Sequence, residues 1–279
     1  MGNSCLAEKK SLCVVKSVGD SVADGRYFLH SSFTSAANFI SEDGAFVCLV
    51  SAVKEGGPFN IVLSSGVPAM TGSIKISLPI IEVDGAVADT SRAKIYDSAV
   101  SSLRGGFAGL AALEKEYLRL ASPLSLALAL DKRRIEGFRP GFQRTLAEQI
   151  LQACALLSGG DYAGGARLLN GAGFGFTPSG DDFLAGVLLA THFLPAGEPA
   201  RSAIFGAAAS SNPVSLAAMR AARDGRACEP VKKLLTALSL GEDASSLLPA
   251  VLGMGATSGA DFLAGFIFAF KSFKGEGRC

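Results

Sequence analysis

Residues 173–186 read GFGFTPSGDDFLAG. Glycines, hydroxyls and acids in this density, set directly before an apolar run, suit one kind of chemistry. Gly173 and Gly175 free the backbone for unusual dihedrals or for close approach by a ligand. The N–H groups of a glycine loop entering a helix, Gly180 among them, form an anion site. Thr177 and Ser179 add hydroxyl donors. Asp181 and Asp182 oppose a bare anion by like charge. Three arrangements resolve that conflict. The acids turn away as helix caps, they hold Mg²⁺ that bridges to a phosphate, or they accept hydrogen bonds from an amide or amine of the substrate. On the last two readings Asp182 and Asp181 are the catalytic candidates.

A second stretch, GATSGADFLAG at 255–265, repeats the pattern. SGDDFLAG and SGADFLAG differ at one position in eight, and Ser179 and Ser258 stand 79 residues apart, as do Asp182 and Asp261. Thr257, Ser258, Gly259 and Asp261 therefore join the candidate ligand-binding set of Gly173, Gly175, Thr177, Ser179 and Gly180. The plain alternative is a capping box: Ser179 or Ser258 at the N-cap, Asp182 or Asp261 three residues on, then an apolar run. Gly186 and Gly265 then fall inside helices, where each costs about 1 kcal/mol relative to Ala; tight packing of two helices around a local pseudo-two-fold axis would account for them. What the box leaves over is residues 171–178 and Asp181, which the second copy replaces with Ala260. The run is neither a Walker A loop, since no Gly-Lys-Ser/Thr follows, nor a dinucleotide fingerprint, since no strand–helix–strand unit surrounds it.

The elements that must position these residues divide by type. Short β-branched segments at 11–17, 26–30, 45–53, 60–64 and 73–83, punctuated by Gly and Pro, predict strands too closely spaced for crossover helices, hence a mainly antiparallel sheet. Segments 97–121, 141–158, 161–169, 181–194, 200–210, 214–224, 229–239, 243–251 and one starting near Asp261 predict helices. The expected fold is α+β: a β-rich region over residues 1–90, then a helical region over 91–279 that carries both motifs.

Composition narrows the function classes. The chain has 279 residues, 49% hydrophobic and 18% charged, with a net charge of +1. That balance offers no electrostatic case for nucleic acid or an anionic membrane. The longest apolar segment, 183–196, is 14 residues, short for a membrane span. MGNSCLAEKK at the start lacks a signal peptide's apolar core, and Leu6 stands where a myristoylation signal needs Ser or Thr. Six cysteines, Cys5, Cys13, Cys48, Cys154, Cys228 and Cys279, form no C-x-x-C pair and no metal-ligand spacing, which fits a reducing cytoplasm. His30 and His192, the two histidines, lie in no supporting motif for a zinc enzyme or a Ser-His-Asp hydrolase.

G-x-G-x-T-P-S-G-D-D-x-L-A-G followed by T-S-G-x-D-x-L-A-G resembles the third-subunit family of bacterial oxamate carbamoyltransferase. SSFTSAANFISEDGAFVCLVS (31–51) and GPFNIVLS (57–64) are similar in style, so the resemblance runs from about residue 25 to 267. It implies a cytoplasmic protein of purine (allantoin) breakdown that works with two larger subunits. The complex would move a carbamoyl group between oxalurate and phosphate, giving oxamate and carbamoyl phosphate. Such small anionic ligands imply nearby arginines, with Arg144, Arg167 and Arg220 as candidates. Ala256 departs from the polar or His residue expected before Thr257. Two other readings stay open: a non-catalytic assembly subunit, and a Mg²⁺-dependent enzyme on a phosphorylated small molecule using Asp181, Asp182 and Asp261.

Overall fold

The computed structural model describes residues 14–52, 56–67, 72–104, 106–173, 175–195, 197–208 and 212–273. Leu6, Cys5, Cys13 and Cys279 lie outside them, as do the start of the expected strand 11–17 and the end of the expected helix 200–210. The chain forms two compact units, up to Ser98 and from Ala99.

The first unit is a nine-stranded sheet: β1 (Val15–Gly19), β2 (Gly25–Phe33), β3 (Ala36–Ile40), β4 (Phe46–Val50), β5 (Asn60–Leu63), β6 (Ser73–Ser77), β7 (Ile80–Val83), β8 (Ala86–Asp89) and β9 (Lys94–Tyr96). Their order is β8-β7-β6-β2-β3-β4-β5-β1-β9. Pairing is antiparallel except at β4/β5 and β1/β9. The expected single strand 73–83 is two, because the chain reverses at Leu78-Pro79. Proline has no N–H for a ladder and belongs in such a turn. β7 and β8 are joined by Asp84-Gly85, both at positive φ, the two-residue turn whose twist matches a hairpin. β3 escapes the sequence reading because Ala-Ala-Asn is poor in β-formers, yet it is buried between β2 and β4. Tyr27, Phe39, Leu49, Ile61, Leu63, Ile74, Ile76 and Ile81 build this unit's own core.

The second unit is helical: α1 (Leu110–Leu120), α2 (Phe142–Ser158), α3 (Tyr162–Leu169), α4 (Ser179–Ala190), α5 (Gly197–Ala207), α6 (Pro213–Arg223), α7 (Glu229–Ser239), α8 (Leu248–Leu252) and α9 (Ser258–Ser272), with short 3₁₀ turns at Leu126–Ala129, Lys132–Gly137, Thr191–Phe193 and Ser245–Leu247. The helix expected over 97–121 begins only at Leu110. Phe107 at φ 48° sits in the left-handed region, where a helix cannot start. The last turn of 181–194 tightens to 3₁₀ as Thr191 Oγ1 donates back to the Leu188 carbonyl. Every residue of α4 is buried, and most of α9 is too. A helix that is apolar all round belongs at the centre, and these two form the hub around which the others pack. No helix among the described residues is long and apolar enough to cross a membrane.

Candidate functional site: two helix starts that share their side chains

The repeated octapeptides meet each other. A Cβ placed on Gly186 would stand 1.9 Å from the Phe262 carbonyl oxygen, and one on Gly265 would stand 2.0 Å from the Phe183 carbonyl oxygen. The eighth residue of each copy thus lies against the fifth of the other. Tight helix–helix packing is the reason for these glycines, as the repeat suggested. The equivalence continues backwards. Gly180 abuts the Leu169 carbonyl at the end of α3, and Gly259 abuts the Val251 carbonyl in α8. The amide of Gly180 donates to Ala172 O at 2.7 Å, that of Gly259 to Met254 O at 2.9 Å. Gly175 and Gly255, each two residues before the motif's Thr, both hold positive φ, 103° and 71°.

The side chains also cross over, which corrects the capping-box reading. α4 takes Pro178 as its N-cap and α9 takes Thr257, and neither receives a side-chain cap. Ser179 and Ser258 instead occupy the first turn. Ser258 of the second copy faces Asp182 of the first, and Ser179 of the first faces Asp261 of the second. Serine to aspartate is first residue to fourth, and phenylalanine to glycine is fifth to eighth. Both offsets are three, so the helices run side by side in the same sense with their N-termini together. Two positive helix ends at one point attract negative charge. Here the carboxyls of the two motif aspartates stand at that point.

The surroundings of the two aspartates differ. Asp182 is 9% exposed, beneath the loop 171–178. Thr177 Oγ1 donates to its Oδ2 at 3.1 Å and lies 3.1 Å from Ser258 Oγ. Burial, set against the Ser258 and Thr177 hydroxyls and helped by the charge of Asp181, moves its carboxyl up to about 6. Asp261 is fully buried. Its Oδ1 accepts from the Leu126 amide at 2.6 Å, while Oδ2 has no hydrogen-bond partner. Burial is the largest cause of its rise to about 7; the Leu126 amide and the Ser179 and Thr257 hydroxyls oppose it, and the charge of Asp182 adds to it. Ser179 and Thr257 are therefore close enough to matter electrostatically without making a well-formed bond to Oδ2.

Asp181 does something else. Its Oδ1 accepts the Gly171 amide at 2.8 Å and anchors the start of the glycine loop. Gly171, Gly173 and Gly175 all sit at positive φ, and a Cβ on Gly173 would meet the Ser179 amide at 2.5 Å. The far end of the loop is tied by Asn212, whose Nδ2 donates to Phe176 O at 2.6 Å while its Oδ1 caps α6 through the Val214 and Ser215 amides. Gly175, Phe176, Gly255 and Ala256 are exposed above this floor.

The structure thus gathers Thr177, Ser179, Asp182, Thr257, Ser258 and Asp261 at one point, with Gly173, Gly175, Gly180 and Gly259 shaping the backbone around it. It does not bring Asp181, Asp182 and Asp261 together as a metal cage: no group of three His, Cys, Asp or Glu side chains converges among the described residues. The expected arginines are also absent from the charges that shift Asp182 and Asp261. Two contacts escaped the sequence altogether. Leu126 contributes through its main chain, and Tyr117, 143 positions away, donates from its phenol to Ala260 O at 2.8 Å. Neither carries a local pattern; only the fold brings them in. His192 binds the Ala222 and Arg223 carbonyls, away from the motif aspartates. The first unit holds a depression of about 770 Å³ lined by Asp24, Arg26, Lys75, Glu82 and Asp84, of mixed charge and without any motif residue.

No curated protein and no solved structure matches the chain. Residues 169–270, which run from the end of α3 into α9 and contain both copies of the motif, match the family model described as oxamate carbamoyltransferase subunit AllH.

Proposed function

We propose that the chain is a subunit of a carbamoyl-transferring complex, and that the loop region over Asp182 receives a small anionic ligand bearing an amide, oxamate being the simplest. The family match supports the first part. The paired helix N-termini carry the second, with Asp182 at their mouth between the Thr177 and Ser258 hydroxyls. The exposed glycine loops at the two helix starts suit a carboxylate or phosphate, the Gly180 and Gly259 amides being already held by the Ala172 and Met254 carbonyls. Asp182, ionised near neutrality, suits the NH₂ of a carbamoyl or oxamoyl group. Carbamoyl transfer asks mainly for orientation and for donors placed where negative charge develops. Hydroxyls and amides supply both without a histidine. Two larger subunits complete the complex on this reading, in the cytoplasm, and no metal is required of Asp182.

Calorimetry of the full chain with oxamate and with carbamoyl phosphate tests the reading. The expected result is binding that Asp182→Asn weakens by about tenfold or more, the loss of one charged hydrogen bond, with no fall in melting temperature. The assembly-subunit reading draws on the Gly186 and Gly265 contacts, which structure alone explains. It expects no binding by the isolated chain and a lower melting temperature for Asp182→Asn.

A further inference from the structure

The two halves of the helix pair are equivalent in backbone contacts but not in accessibility. Asp182 keeps 9% of its surface exposed and lies beneath exposed loop residues. The Asp261 half is stoppered: the 3₁₀ turn Leu126–Ala129 presents its first amide to Oδ1, and the Tyr117 phenol fixes the carbonyl of the preceding Ala260. A ligand over Asp182 does not reach Asp261, which has no exposed surface.

We propose that Asp261 is a positioning residue that stores a proton beside Asp182 and so sets the net charge that an anionic ligand meets. The inference rests on the reading of the loop region over Asp182 as a ligand site. Its main support is the buried Oδ2 without a partner. In an ionised Asp261 that oxygen would carry charge with no well-formed hydrogen bond, an expensive arrangement in a sealed site. In a protonated Asp261, Oδ1 still accepts from Leu126, and the Oδ2–H needs only a lone pair, which the Ser179 or Thr257 hydroxyl has to give.

The charges around the pair point the same way. α4 presents Asp182 to Asp261, and Asp181 acts on Asp182. α1 presents Tyr117, whose buried phenol is pushed up and stays neutral. Leu126–Ala129 offers only an amide, and α8 has no titratable side chain. The α6 arginines, Arg220 and Arg223, are not among the charges that shift either carboxyl. Arg134 acts on Tyr117, and no cation is among the charges that shift either carboxyl; two such adjacent carboxyls lose their protons in sequence. The pair carries one negative charge between about pH 6 and about 7, and two above that.

The test uses the full chain and oxamate, a monoanion throughout the range. Above about pH 7 the wild-type affinity is expected to fall, by at most about tenfold per pH unit for a single linked proton. Asp261→Asn keeps an acceptor for Leu126 and cannot ionise, so it is expected to hold the affinity within about twofold over the same range. Equal pH slopes in the two proteins overturn the proposal. Carboxyl ¹³C titration checks the proton without any ligand. One aspartate should titrate near 7, vanish in Asp261→Asn, and move to lower pH in Asp182→Asn. An Asp261 signal that titrates as an ordinary acid also overturns the proposal. If oxamate fails to bind while that titration comes out as expected, the stored proton stands and the ligand reading of that loop region is what falls.

Discussion

Asp181 and Asp182 are adjacent in the chain and face different tasks. One ties down the Gly171 amide, the other lies under the hydroxyls of Thr177 and Ser258. Adjacent positions on a helix point about 100° apart, so a double acid can serve two partners without forming one site. Asp181→Ala is expected to cost about 1–2 kcal/mol by leaving the Gly171 amide without its acceptor, read as a lower denaturation midpoint. The raised carboxyls also link stability to pH. Both folded values lie above the unfolded carboxylate value, so the folded state holds more protons between about pH 4 and about 7. Their contribution is fully present below about pH 4 and is lost as pH rises through 6 and 7. Asp261→Asn is accordingly expected to stabilise the protein at pH 8, by up to about 4 kcal/mol for a three-unit rise, and to flatten the melting temperature against pH. A variant less stable than wild type at pH 8 would contradict this.

At the scale of elements, α4 and α9 were legible as helices because SG-x-D-FLAG opens on small polar residues and continues apolar. The crossed pairing was only half legible. The repeat announced a pseudo-two-fold axis, and the interior glycines announced close packing. The capping box, however, describes one helix at a time and cannot distinguish an aspartate that turns back on its own serine from one that meets its neighbour's. In both copies the N-cap, Pro178 in α4 and Thr257 in α9, carries no side-chain cap, and the serine lies one residue further on. Strands β3, β8 and β9 were missed for a related reason: at three to five residues they carry too little pattern, and pairing partners hold them. The glycine contacts give a sharp contrast. Gly186→Ala or Gly265→Ala forces a methyl against a backbone carbonyl and is expected to cost at least about 2 kcal/mol. Gly206→Ala in α5 meets nothing within 4 Å and is expected to stabilise by about 0.5–1 kcal/mol. Thermal melts of the three variants check both signs.

At the scale of the whole molecule, each unit has its own core, the sheet residues in one and the α4/α9 hub in the other. The candidate site lies entirely in the second, because both copies of the motif, Tyr117 and Leu126 all follow Ala99. A chain starting at Ala99 is therefore expected to melt cooperatively and to keep the raised carboxyl titrations. Loss of both would show that the first unit is needed to hold the hub together.

The stopper at Leu126 has a consequence for stoichiometry. Counting motifs in the sequence gives two, and a duplicated binding element would ordinarily saturate at two equivalents of ligand per chain. The Leu126 amide occupies the second carboxylate as a permanent internal guest, held covalently at a fixed concentration that no dissolved ligand can match. Saturation at one equivalent is the expected endpoint. On the proposed reading of Asp182, the repeat holds one position for a ligand and one already filled by its own main chain.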